Sequence, residues 1–401
     1  LNSGKSNTTV ELWKETYTAE LRLVLTKAPA EGFTARAKFD TSYDAGQYNK
    51  ANGTDYTLYP ADKVTFANDG LFAAAGRNVE LTVEMTVEAA EGLAAGRGYL
   101  IPVALEADGV ILKESHCFYV VKDMTSMPTC YKGDDLPKGF LFFEVNDVNP
   151  LNALTFELED GRLLWDVVCL FSGNINHHAD RNAPFLSLNP QTQYWMDNNE
   201  AFIQPLRKRG MKVIMCVLGN HDQSGVAQLS DYGCQMFAKE LATFCETYNI
   251  DGVCFDDEYS NSPDLSNPWF APWSSAAASR LLYETKKAMP DKTVMVYYLG
   301  AIGSRIPSVD GVEPGMFVDY AVADYGGTAA PMQGMTVKQC SGMSIELNRG
   351  SGDSSEGTAR SKKEAGYGYY MFFALGHTNS LVSDFSDYRF QVSRCQSVAR
   401  G

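Results

Sequence analysis

The stretch Asn249-Ile250-Asp251-Gly252-Val253-Cys254-Phe255-Asp256-Asp257-Glu258-Tyr259 holds the residues of this chain best suited to chemistry. It reads as a short buried strand that runs off its C-terminal end into three carboxylates. Side chains alternate faces along a strand, so Cys254, Asp256 and Glu258 share one side while Phe255 and Asp257 point to the other. In a closed barrel the shared side is the lumen, with Glu258 at its rim. Two carboxyl groups directed into one low-dielectric mouth repel each other, and one of them holds its proton. That pair is the equipment of general acid–base catalysis at a glycosidic or similar oxygen. The same cluster taken alone also suits a solvated loop or a cation site. Asp257, on the far face, reads as structural.

The elements that must position this strand follow from the pattern around it. From residue 139 onward, strands alternate with amphipathic helices. Strand candidates are 140–145, 167–171, 212–217, 252–256, 293–298, 320–323, 342–346 and 367–373. The spacing predicts a helix over 232–248, with Met236, Phe237, Leu241, Phe244, Cys245 and Tyr248 on one stripe; 275–289 and 388–398 read similarly. Eight strands over residues 139–401 match a TIM (β/α)8 barrel in count and length. An open doubly wound sheet fits less well, because no Gly-rich phosphate loop follows the first strand.

Residues 1–125 differ in kind. Apolar or alternating runs such as Leu21–Leu25, Val79–Val87 and Cys117–Val121 are separated by turn signals at Asn52-Gly53, Asn68-Asp69-Gly70 and Asp108-Gly109. They predict a small all-β sandwich that carries no catalytic constellation. Residues 126–138 have the composition of a linker. The architecture expected is therefore an α/β barrel preceded by a smaller sandwich domain.

Composition narrows the partners. The chain has 401 residues, a net charge of −15 and a pI near 4.8, which argues against nucleic-acid or anionic-membrane partners. No apolar run approaches the ~20 residues of a membrane span. The opening Leu1-Asn2-Ser3-Gly4 is small and polar, without the look of a signal peptide. Nine cysteines form no Cys-x-x-Cys pair, and Cys169, Cys216 and Cys254 lie in strand-like runs as small core hydrophobes. No metal site and no organic cofactor are expected from this pattern.

Active sites of such barrels sit at the C-terminal ends of the strands. Reading off those ends gives Asn146, Asn174, Asn220, His221, Tyr298 and Phe372 as candidate substrate contacts, since amides match sugar hydroxyls and aromatic faces stack on pyranose rings. His221, just before a helix, equally suits a capping role. Trp269 and Trp273 read as a stacking platform or as loop packing, and Tyr194-Trp195 as core.

The motif Asp251-Gly252-x-x-x-Asp256-x-Glu258 resembles the catalytic signature of glycoside hydrolase family 18, the chitinase and endo-β-N-acetylglucosaminidase barrels. With Glu144-Val-Asn146, Asn174-Ile-Asn176, Val217-Leu-Gly-Asn-His221, Asp319-Tyr-Ala321 and Gly366-Tyr-Gly-x-Tyr370, the barrel is similar to the endoglycosidase H type in particular. The small sandwich likewise resembles the one that precedes such barrels in some multi-domain bacterial glycosidases. This resemblance implies substrate-assisted retention, with Glu258 as acid and then base. Asp256 would orient the 2-acetamido group and Tyr325 would hydrogen-bond its oxygen. It also implies N-linked glycans as substrate, a cut at the GlcNAc-β1,4-GlcNAc core, a monomer, and an extracytoplasmic bacterial location. The family usually carries an aspartate where this chain has Cys254. Losing that like charge is expected to lower the pKa of Asp256. A chitinase and a glycan-binding barrel without turnover are the alternatives. The lack of a tryptophan near 370–373 speaks against the first, and the intact Asp256 and Glu258 against the second.

Overall fold

The computed structural model describes residues 7–27, 34–72, 79–107, 110–111, 116–133, 135–146, 148–347, 350–375 and 385–401. The Asp108-Gly109 turn lies outside them. The chain divides into two compact units, Leu1–Met127 and Pro128–Gly401.

The first unit is built on two sheets. One runs in the order Asn7–Leu12, Cys117–Asp123, Gly98–Ala107, Ala35–Phe39, and the other in the order Thr16–Val24, Glu80–Glu88, Val64–Phe66. Strict alternation in Thr16–Val24 and Glu80–Glu88 buries Leu21, Leu23, Leu81, Val83, Met85 and Val87 and exposes their neighbours. Those six share one core with Ile101, Val103, Tyr119 and Val121 of the other sheet. Apolar area removed from water on this scale, at about 1.5–3 kcal/mol per large side chain, is the main force holding two sheets face to face.

The second unit is the barrel. Its eight parallel strands are Lys138–Glu144, Trp165–His178, Lys212–Leu218, Gly252–Phe255, Thr293–Tyr298, Tyr320–Ala323, Ser341–Glu346 and Tyr369–Phe373. Each pairs with the next, and the eighth pairs with the first. Between strands six and seven the contact is one bridge, Ala321 with Cys340, and a bond from Ala323 N to Ser341 Oγ at 3.0 Å. The lumen is filled by Phe140, Phe142, Val167, Cys169, Ile214, Cys216, Cys254, Met295, Tyr297, Val322, Tyr369 and Met371. The alternate residues, among them Val253, Phe255, Val294, Val296 and Phe372, pack outward against the helical layer. Burial on both faces is why these strands read as continuous apolar runs.

At the N-terminal face, carboxylates clip neighbouring strands together. Asp251 accepts from Arg207 Nε and Nη2 at 2.8 Å each and from Val213 N at 2.8 Å. Asp166 and Asp319 do the same for Gly139 N and Val294 N, with Lys132 and Lys286 as their cations. The first aspartate of the motif is therefore a structural clip at the barrel floor, far along the strand from its rim.

Three expectations change. The segment 126–138 is not a free connector after its first residues. Cys130 N donates to Arg209 O at 3.0 Å, Leu163 N to Thr129 O at 2.8 Å, and Lys132 neutralises buried Asp166. Strand two, expected over 167–171, runs on to 178, and residues 173–178 pair with 183–188 as an antiparallel hairpin. The helix Asp231–Thr247 buries Cys234, Phe237, Ala238, Leu241, Phe244 and Cys245, while Met236 stands exposed, because the stripe is centred on Phe237 and Leu241.

Candidate active site

The fourth strand places its carboxylates as alternation requires. Cys254 packs in the lumen, and Asp256 and Glu258 open into a cavity of about 420 Å³ at the C-terminal mouth. Phe255 packs outward, and Asp257 accepts hydrogen bonds from Trp273 Nε1 at 2.9 Å and Ala301 N at 2.7 Å. Asp257 thus ties the loop after strand four to the turn after strand five. Trp273, bound to it, serves that tie.

Gly219 explains the Val217-Leu-Gly-Asn-His221 run. A Cβ there would stand 2.4 Å from Ser260 Oγ and 2.5 Å from Glu258 O. Lacking one, Gly219 N donates to Glu258 O at 3.1 Å, and the turn after strand three fixes the backbone of Glu258. His221 N continues this contact to Tyr259 O at 2.5 Å, and its ring lies 5.3 Å from that of Tyr259.

Five carboxylates line the cavity, Glu144, Asp256, Glu258, Asp324 and Glu346, with Phe142, Phe171, Tyr259, Tyr297, Tyr325 and Phe373 as its aromatic walls. Asp256 is 3% exposed, and its Oδ1 has no hydrogen-bond partner among the described residues. Burial, followed by the fields of Cys216, Glu258, Asp257 and Asp324, raises its pKa to about 9. The lowering expected from Cys254 is relative to a chain with an aspartate there; in this chain desolvation still holds the carboxyl far above its ordinary range. Burial likewise raises Glu258; a hydrogen bond from the Tyr259 phenol opposes that, and Asp324 and Asp257 add to it. Asp324 receives hydrogen bonds from Tyr297 OH and, at 2.7 Å, from Tyr325 N. The Tyr325 ring lies 5.4 Å from that of Phe373 and is partly open to solvent.

Of the residues singled out in the sequence, Asp256, Glu258 and Tyr325 meet in the cavity. Tyr298 and Phe372 do not. Tyr298 donates to Ala330 O at 2.7 Å and packs against the outer core, while its neighbour Tyr297 faces the cavity. Phe372 is buried in the outer layer with its ring 4.9 Å from that of Trp165, and Phe373 takes the wall. Both readings are displaced by one residue, which in a strand means the opposite face. Asn174, Asn220 and His221 stand to one side, in a polar network outside the cavity. There Asn174 Nδ2 donates to Gly219 O at 3.2 Å and Asn220 Nδ2 to Asn176 Oδ1 at 3.3 Å. Asn146 is exposed and accepts from Asn189 Nδ2 at 2.6 Å. Trp195 is core, with Nε1 donating to Val145 O, whereas Tyr194 is half exposed. Trp269 packs 4.8 Å from Tyr232 rather than lining the cavity.

A parallel barrel with a buried aspartate and a rim glutamate in one aromatic-walled mouth has the parts that a glycoside hydrolase requires. Residues 1–110 match a family model described as an N-terminal domain. Endo-β-N-acetylglucosaminidase F1 of Elizabethkingia meningoseptica is 44% identical over 247 residues, 61% of this chain and 73% of that protein. An endo-β-N-acetylglucosaminidase of Flavobacterium sp. (strain SK1022) is 27% identical over 252 residues, 62% of this chain and 78% of that one. The crystal structure of Bacteroides thetaiotamicron EndoBT-3987 with Man9GlcNAc2Asn substrate is 45% identical with a TM-score of 0.64, covering 99% of this chain and 91% of that chain. The chain belongs to the endo-β-N-acetylglucosaminidases of glycoside hydrolase family 18.

Proposed function

We propose that this chain cuts oligomannose N-glycans between the two core GlcNAc residues and leaves one GlcNAc on asparagine. The observation that carries the reading is the meeting of Asp256, Glu258 and Tyr325 in one cavity at the strand ends. The sugar class rests on EndoBT-3987, solved with a Man9GlcNAc2Asn substrate and with a Man5GlcNAc product, at 45% and 49% identity to this chain. An extracytoplasmic site of action goes with that substrate.

The reaction proceeds by substrate-assisted retention. Glu258, raised by burial, gives its proton to the leaving glycosidic oxygen. The unpartnered Oδ1 of Asp256 accepts the acetamido N–H and turns the carbonyl oxygen toward the anomeric carbon. That oxygen bonds to the carbon as the glycosidic bond breaks, giving an oxazolinium-like intermediate. The Tyr325 phenol hydrogen-bonds the acetamido oxygen, and the surrounding carboxylates stabilise the developing cation. Glu258, now ionised, takes a proton from the water that opens the intermediate from the same face.

Mass spectrometry of an oligomannose glycoprotein after incubation tests this function, with Glu258→Gln in parallel. A single GlcNAc left at each site by the wild-type chain alone is expected. Untouched glycans in both samples, or equal cleavage by the variant, would overturn the assignment.

A further inference from the structure

Beneath the two carboxylates the lumen holds a group of side chains that the hydrolysis does not use. Cys169, Cys216 and Cys254, on strands two, three and four, have sulfur atoms all within 4.8 Å of one another. Each is fully buried, and Cys216 and Cys254 are direct partners in the parallel ladder. A d10 cation bound to three thiolates at about 2.3 Å sets sulfur–sulfur separations of roughly 4 Å. The trio therefore reaches bonding geometry through side-chain shifts below ~1 Å. A second observation lies beside it. Asp256 is two residues along the same strand face from Cys254, a rise of about 6.6 Å, and its Oδ1 is buried and without a partner among the described residues.

We propose that Cys169, Cys216 and Cys254 form a binding site for a soft divalent d10 cation, and that its occupancy stops hydrolysis at Asp256 and Glu258 above. Thiolate sulfur selects such ions over hard ones. The five carboxylates of the mouth concentrate cations at the open end of the same lumen. Binding forms three metal–sulfur bonds and displaces the protons the thiols carry to solvent, with no change of oxidation state. The bound ion brings the lumen to a single negative charge and draws the free oxygen of Asp256 to itself, where it no longer accepts the substrate N–H. Packing alone would make the trio three small hydrophobes with no affinity for metal.

Cadmium(II) ion is the probe, added to the full chain in a phosphine reductant that carries no thiol. Native mass spectrometry, the ultraviolet thiolate-to-cadmium absorption and glycan hydrolysis are read on the same samples. One cadmium per chain, the charge-transfer band, and a loss of hydrolysis that a chelator reverses are expected. Cys169→Ala should lose the band and the first bound equivalent, while Cys234→Ala, in the helical layer, keeps both. The proposal is overturned if wild-type chain takes up no cadmium at one equivalent, if Cys169→Ala binds as the wild type does, or if hydrolysis is undiminished at full occupancy. Should Cys169→Ala not fold, X-ray absorption on the wild-type complex decides, with three sulfur neighbours expected and one or none contradicting it. Because binding is read without turnover, its failure is separate from any failure of the glycosidase assignment.

Discussion

Tyr297 and Tyr298 are adjacent, chemically identical and on opposite faces of strand five, so a matched pair of substitutions tests which face is the site. Tyr298 spends its hydroxyl on Ala330 O at 2.7 Å, a neutral bond worth about 1 kcal/mol. Tyr298→Phe should therefore lower stability by ~1 kcal/mol, a shift of roughly 2–4 °C in Tm for a unit of this size, and leave kcat/KM unchanged. Tyr297 donates to the Asp324 carboxylate, which also holds Tyr325 N at 2.7 Å. A hydrogen bond to a charged group contributes about 1.5–3 kcal/mol. If that positioning is felt fully in the transition state, Tyr297→Phe lowers kcat/KM by roughly 10- to 100-fold, at about 1.4 kcal/mol per decade. Steady-state hydrolysis of a fluorescent oligomannose glycopeptide, with thermal melts of both variants, gives the answer. Loss of activity in Tyr298→Phe with a normal Tyr297→Phe would refute the assignment of faces.

The same parity governs strand eight. Phe372→Ala, which empties a fully buried site against Trp165, should cost about 3–5 kcal/mol in a denaturation curve. Phe373→Ala should cost less stability and more turnover. Asp257→Ala strands the Trp273 and Ala301 donors and should lose ~2–4 kcal/mol of stability by the same measurement. Tyr259→Phe removes the donor that favours ionised Glu258, so the carboxyl's pKa rises and the alkaline limb of the kcat/KM–pH profile moves to higher pH. A limb that moves to lower pH would contradict that pairing.

Much of this was legible in residues. Asp256 and Glu258 could be phased because Cys254, Phe255 and Asp257 around them differ in polarity, so alternation has a visible sign. Tyr297-Tyr298 and Phe372-Phe373 are aromatic doublets in strands buried on both sides, and nothing in the doublet says which member faces the lumen. The hairpin at 173–188 was obscured by its Asn and His content, although Asn182, at φ 49°, sits in the tight left-handed turn position that asparagine tolerates. The buried clip from Lys132 to Asp166 was beyond reach, since it joins residues 34 apart by a pairing no local pattern announces. The same holds for the three thiols, which only the barrel's curvature brings together.

We propose above that Asp256 and Glu258 run a retaining, substrate-assisted hydrolysis. Proton NMR of the released oligosaccharide, followed from the first seconds before mutarotation, tests it most directly. With retention, the new reducing-end GlcNAc appears first as the β-anomer. First appearance of the α-anomer would mean direct attack by water from the opposite face and would contradict it.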